Sequence, residues 1–112
     1  SYYGTLKAEL ERIWNLGKTP ILDIDVKGAI HLQDQFPNRC LSIFIEPPSV
    51  DELRKRLFGR GTETDESLQA RINKAGYEIS FKHHFDHIIV NDNLENACAE
   101  AEKLILEFLA RP

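Results

Sequence analysis

Positive charge is concentrated between Val50 and Arg71, in the run VDELRKRLFGRGTETDESLQAR. The run holds Arg54, Lys55, Arg56, Arg60 and Arg71 in a chain whose formal net charge is -4. The spacing predicts Arg56 near the end of one helix, Arg60 in a loop rich in Gly and Thr, and Arg71 about the second turn of the next helix. Folded over, such a loop points three guanidiniums (Arg56, Arg60, Arg71) at one polyanion. Arginine suits that task because its planar fork stays charged and grips phosphate oxygens in pairs. Charge alone favours a plainer reading, a solvated helix face beside a hinge.

A second candidate is the acid pair Asp23 and Asp25 in Pro20–Asp25, PILDID. The run reads as a strand, and alternate side chains of a strand share a face. Two carboxylates at one strand end can hold Mg²⁺ through water, or accept hydrogen bonds from a base or from arginines. The alternative is a carboxylate capping nearby backbone amides. Burial of acids at a strand end is costly unless they are satisfied, which favours a functional role. His83, His84 and His87 lack metal-ligand spacing and read as a solvated cluster at a helix end. His31 reads as a surface helix residue. Neither a Ser-His-Asp or Cys-His arrangement nor a G-x-x-x-x-G-K-[ST] loop is evident.

Alternating strands and helices must position these groups. Leu6, Leu10, Ile13 and Trp14 follow helical spacing, with Thr5 as N-cap and Gly17 as stop. Val26 to Phe36 reads as a short helix ended by Pro37-Asn38. Cys40 to Ile45, CLSIFI, is a nearly continuous apolar run, as expected for a strand covered on both faces. Ser49 and Glu52 form an S-x-x-E capping box for a helix whose inner face is Val50, Leu53 and Leu57. Thr64 caps the next helix, with Asp65 and Glu66 at the positive end of its dipole and Leu68, Ile72, Ala75 and Ile79 on its buried stripe. His87 to Val90 is a short strand. A last helix carries Leu94, Ala97, Cys98, Ala101, Ile105 and Phe108 on one side. The pattern is α/β: a parallel sheet whose ligands sit beyond the carboxyl ends of the strands, where Asp23, Asp25 and Asn91 fall.

Composition sets the outer limits. A chain of 112 residues, 42% hydrophobic and 29% charged, is one ordinary globular domain or part of one. No apolar run is long enough to span a bilayer, and the mild acidity argues against general nucleic-acid binding. Cys40 and Cys98 form no close-spaced motif and read as buried thiols in a reducing compartment. The chain opens Ser1-Tyr2-Tyr3-Gly4 and holds no Met, so we expect a piece of a longer protein.

YYGT at residues 2–5, LDIDVKG at 22–28, PPSVDELRKRLFGRGTETDES at 47–67 and IIVND at 88–92 together resemble guanylate kinase, in order and at the family's separations. The resemblance implies a P-loop nucleoside monophosphate kinase-like parallel sheet with flanking helices. Residues 1–112 are then the C-terminal part of one guanylate kinase domain: 1–5 the end of the GMP-binding region, 6–46 and 85–112 core, and 54–72 the lid region. It also implies the reaction ATP + GMP ⇌ ADP + GDP with Mg²⁺, in the cytoplasm.

By position, Tyr3 is similar to a tyrosine that binds the GMP phosphate, and Thr5 to a hydroxyl on the guanine. Asp23 and Asp25 are similar to acids near the GMP and the metal. Of these, Asp25 matches the guanine edge, and Asp23 reaches the metal through water. Arg56, Arg60 and Arg71 resemble the lid arginines that close on the ATP phosphates, and Asn91 a residue beside the adenine. Lys27 departs from the pattern, where relatives often carry an uncharged residue.

The phosphate loop is absent from these residues, and in this fold its strand lies between LDID and LSIFI. The sheet is then incomplete. The chain alone is expected to be inactive, with self-association, strand exchange or a companion fragment closing the gap. The competing reading is the guanylate-kinase-like interaction module of membrane-associated scaffold proteins, which usually loses parts of the lid. The intact set of Arg56, Arg60 and Arg71 favours the enzyme.

Overall fold

The computed structural model describes residues 2–58 and 64–112. In chain order the elements are α1 (Tyr2–Asn15), α2 (Val26–Gln35), β1 (Ile43–Glu46), α3 (Val50–Phe58), α4 (Asp65–Ile79), a 3₁₀ turn (Lys82–His84), β2 (His87–Val90) and α5 (Leu94–Ala110).

Helix α1 buries Leu10, and Trp14 meets Phe36 edge-on at 5.3 Å. The Arg39 guanidinium covers the Trp14 ring at 3.6 Å and ties the end of α2 to α1. Gly17 has φ +74°, a conformation L side chains rarely adopt. It allows Lys18 N–H to reach Ile13 O and Gly17 N–H to reach Trp14 O, which satisfies carbonyls that the helix end leaves open. Thr5 is not the N-cap. The helix begins at Tyr2, so Thr5 lies inside it.

Asp25 caps α2: its Oδ1 accepts from Gly28 N at 2.8 Å. A Cβ on Gly28 would fall 2.8 Å from that same oxygen, so glycine permits the close approach. Val26 and Leu32 then face the core. Ser49 Oγ accepts from Glu52 N, and Thr64 Oγ1 accepts from Ser67 N, which places both caps where the sequence predicts them. Helices α3 and α4 pack on each other, with Leu57 and Ile72 buried.

Strands β1 and β2 pair in parallel, Ile43 with His87 through Glu46 with Val90. The strand expected from Cys40 begins instead at Ile43, because β2 supplies a ladder partner only from His87 onward. Before it, Asp86 Oδ2 accepts from Ser42 N, and His87 N–H donates to Ser42 O. Ser42 is buried at 6% exposure; its hydroxyl donates to Gln33 Oε1 and accepts from Asp86 N. Gln33 Nε2 in turn donates to His84 O. One side-chain network thus joins α2, β1 and the turn before β2, and among the described residues no buried side-chain nitrogen or oxygen is unpaired.

The core centres on Ile89, which has 0% exposure, and on Phe44, which meets Phe85 edge-on at 5.3 Å. Coverage of β1 on both faces does not hold among the described residues, because Ile45 is 51% exposed. Nor is Pro20–Asp25 a strand; it has no ladder partner here. Helix α5 buries Ala97 against β2 and half-buries Ala101, Ile105 and Phe108, whereas Leu94 and Cys98 of the expected stripe are exposed. Cys40 is half-buried, and burial, then the Asp86 charge, push its thiol pKa up. Among the described residues no helix is long and apolar enough to cross a membrane.

Candidate functional site at the carboxyl ends of the strands

Glu46 closes β1, and Asn91 follows β2 directly. The two meet through Asn91 N–H, which donates to Glu46 O at 2.7 Å and extends the ladder by one bond. In a parallel pair both carboxyl ends lie at one rim, so Glu46 and Asn91 define that rim.

Basic side chains reach the rim from outside the sheet. Arg56, in the last turn of α3, donates from Nη2 to Asn91 O at 3.2 Å. Its Nε lies 3.4 Å from Glu52 Oε1, and both side chains are over two-fifths exposed (41% and 42%). A pair this exposed contributes only about 0.3–0.5 kcal/mol. The guanidinium is therefore held loosely and can exchange its carboxylate for another anion. Lys82 sends its Nζ to Glu46 Oε1 at 2.9 Å, with side-chain exposures of 28% and 17%. This more sheltered pair fixes the turn before β2 to the end of β1. The sequence reading missed it. The signal was an acid as the last residue of an apolar strand, directly before Pro47.

The other candidates are placed separately. Arg71 is exposed on α4, one residue before buried Ile72, and it makes an interaction of its own. Arg60 lies outside the described residues. Tyr3 falls in the first turn of α1, with its side chain outside the description, and Thr5 is exposed on the same helix. Asp23 and Asp25 are exposed on the segment between α1 and α2 rather than at the end of a buried strand. Asp25 uses one oxygen on the Gly28 amide, the capping alternative of the sequence reading. Its second oxygen leaves acceptor capacity for a ligand. Asp23 lies on the wall of a groove of about 300 Å³ that runs between residues 19–24 and 40–43. Among the described residues no group of three His, Cys, Asp or Glu side chains is placed to hold a metal ion. The structure thus joins Arg56 to Asn91 and keeps the two acids on one short segment.

Parallel strands separated by helices, with Arg56 and Lys82 paired to acids at their carboxyl ends, make the chain an α/β protein. The guanylate kinase family model matches residues 1–108. A guanylate kinase of Bacteroides fragilis is 50% identical over 108 residues, covering 96% of this chain and 53% of the relative. Guanylate kinases of Chlorobium chlorochromatii and Francisella tularensis are 47% and 46% identical over 109 residues, each covered over 57% of its own length. The chain belongs to the guanylate kinase family, and it spans about half the length of the curated relatives it matches.

Proposed function

We propose that these residues are the C-terminal part of an enzyme that transfers a phosphoryl group from ATP to GMP, and that the chain alone is inactive. The observation that supports this most directly is the Arg56–Asn91 contact, which brings the Arg56 guanidinium to the carboxyl end of β2. In this reading the fold is that of a P-loop nucleoside monophosphate kinase. Residues 54–72 form the lid region, and 6–46 and 85–112 form core. Arg56, Arg60 and Arg71 neutralise the phosphate oxygens, while Asn91 lies beside the adenine. Tyr3, Thr5, Asp23 and Asp25 receive the GMP. In this reading the enzyme works in the cytoplasm.

Phosphoryl transfer asks little covalent work of the protein; it asks for alignment and for charge over the moving oxygens. The loosely paired Arg56 suits a group that must swing between partners. Mg²⁺ bound with ATP would supply further charge neutralisation. An exposed carboxylate such as Asp23 is a hard oxygen donor of the type that ion takes through water.

Titration of GMP and ATP into this chain, and into a version extended to the relatives' length, tests the reading. Binding of both nucleotides and turnover are expected only in the longer form. Failure of the longer form to bind GMP removes the proposal.

Asp25 offers a finer test. Asn caps a helix as well as Asp does, so Asp25→Asn is expected to leave stability within about 0.5 kcal/mol. In the extended enzyme the same change weakens GMP at least about tenfold, since hydrogen bonds to charged groups contribute roughly 1.5–3 kcal/mol. Unchanged GMP affinity assigns Asp25 to the cap alone.

A further inference from the structure

Among the described residues Asn91 joins the β1–β2 ladder by one backbone bond, from its N–H to Glu46 O at 2.7 Å. If the register is continued, the amide that would reach Asn91 O belongs to position 48. That residue is Pro48, which has no N–H, and Pro47 before it has none either. Asn91 O is taken instead by Nη2 of the exposed, loosely paired Arg56. The Asn91 backbone is therefore placed mainly by Glu46. With two prolines following it, Glu46 is in turn held at the rim by its side chain, whose Oε1 receives Lys82 Nζ at 2.9 Å in a sheltered pair. Lys82 opens the 3₁₀ turn, and that turn has a firm base. Phe85 N–H donates to Lys82 O, the Phe85 ring meets Phe44 edge-on, and His84 O accepts from Gln33 of α2. Lys82 thus carries the rigidity of the core out to the end of β1.

We propose that Glu46 and Lys82 are positioning residues for ATP: their ion pair fixes the end of β1 and, through it, the Asn91 backbone beside the adenine. The inference rests on the functional reading for the identity of that ligand. Neither side chain has work to do at the moving phosphoryl group. A contact to the base is present equally before and during transfer, so its displacement weakens binding of one nucleotide and spares the chemical step.

Removing one charge alone would strand the other in a sheltered place, so the informative variant is the double change Glu46→Gln with Lys82→Met. It is made in the version extended to the relatives' length. Without nucleotide, amide exchange followed by NMR is expected to quicken at Asn91 at least about tenfold. His87, whose N–H donates to Ser42 O at the other end of the ladder, keeps its rate, because the Ser42–Asp86 bonds hold it. In turnover, the KM for ATP is expected to rise at least about fivefold, while the KM for GMP and kcat stay within about twofold. Lys82→Arg keeps the charge and a donor, and it keeps the Asn91 exchange rate and the KM for ATP near those of the unsubstituted form. An unchanged Asn91 rate in the double variant overturns the proposal. So does an equal quickening at Asn91 and His87, or an equal rise in KM for both nucleotides; either makes the pair a general brace of the fold. Turnover with an unmoved KM for ATP overturns the positioning role and leaves the kinase reading standing. Failure of the kinase reading shows instead as an unsubstituted form without turnover.

Discussion

Replacing Arg60 by Ala in a version extended to the relatives' length is expected to lower kcat on the order of 10²-fold or more. The KM for GMP changes far less, and unfolding stability moves within about 0.5 kcal/mol. The reasoning is electrostatic. The phosphoryl group in flight spreads negative charge over its oxygens. A guanidinium delivered after both nucleotides bind stabilises that charge and excludes water as a competing acceptor. Arg60→Lys keeps the charge but loses the planar fork, so it recovers only part of the rate. A coupled assay with GMP and ATP reads all three forms. Unchanged turnover in Arg60→Ala removes this residue from the reaction.

What could be read from the sequence was whatever depends on neighbours along the chain. Ser49 and Thr64 cap their helices because a hydroxyl three residues before an amide is a local arrangement. His87–Val90 forms a strand as expected, since its partner β1 lies within the same chain. Pro20–Asp25 carries the same kind of apolar signal and is not a strand. A ladder needs a second backbone, and the pattern of one segment says nothing about whether a neighbour is present. Thr5 failed as a cap for a related reason: a polar residue near a helix start competes with residues before it, and α1 runs back to Tyr2. Cys98 sits on a stripe that is apolar by type, but burial depends on what each position faces: Ala97 is buried while its neighbour Cys98 is exposed.

At the candidate site the same division holds. That Arg56 is basic and near a helix end was legible. Its approach to Asn91, which lies 35 positions further on, depends on how α3 docks against the end of β2. The Glu46–Lys82 pair likewise spans 36 positions and has no periodic signature. Asp25 was legible as an acid that must be satisfied. Its partner, the Gly28 amide, was the plainer of the alternatives and the one the structure adopts.

Ile89→Ala is expected to produce the largest loss of stability in this chain, about 2–5 kcal/mol. Ile89 is the largest side chain with under 2% exposure among the described residues, and it lies on β2 beside the helix that covers it. Truncation removes its transfer free energy and leaves a cavity that close-packed neighbours cannot fill. Its register partner Ile45 provides the internal comparison: at 51% exposure, Ile45→Ala costs well under half as much. The sheet here has two strands, so the reserve of stability is small, and ordinary domains hold only about 5–15 kcal/mol. Ile89→Ala therefore flattens the urea transition of this chain, whereas Ile45→Ala shifts its midpoint modestly. If the two variants unfold at the same urea concentration, the core is not centred where β2 meets α5. The rim that carries Asn91 and receives Arg56 would then have no rigid base beneath it.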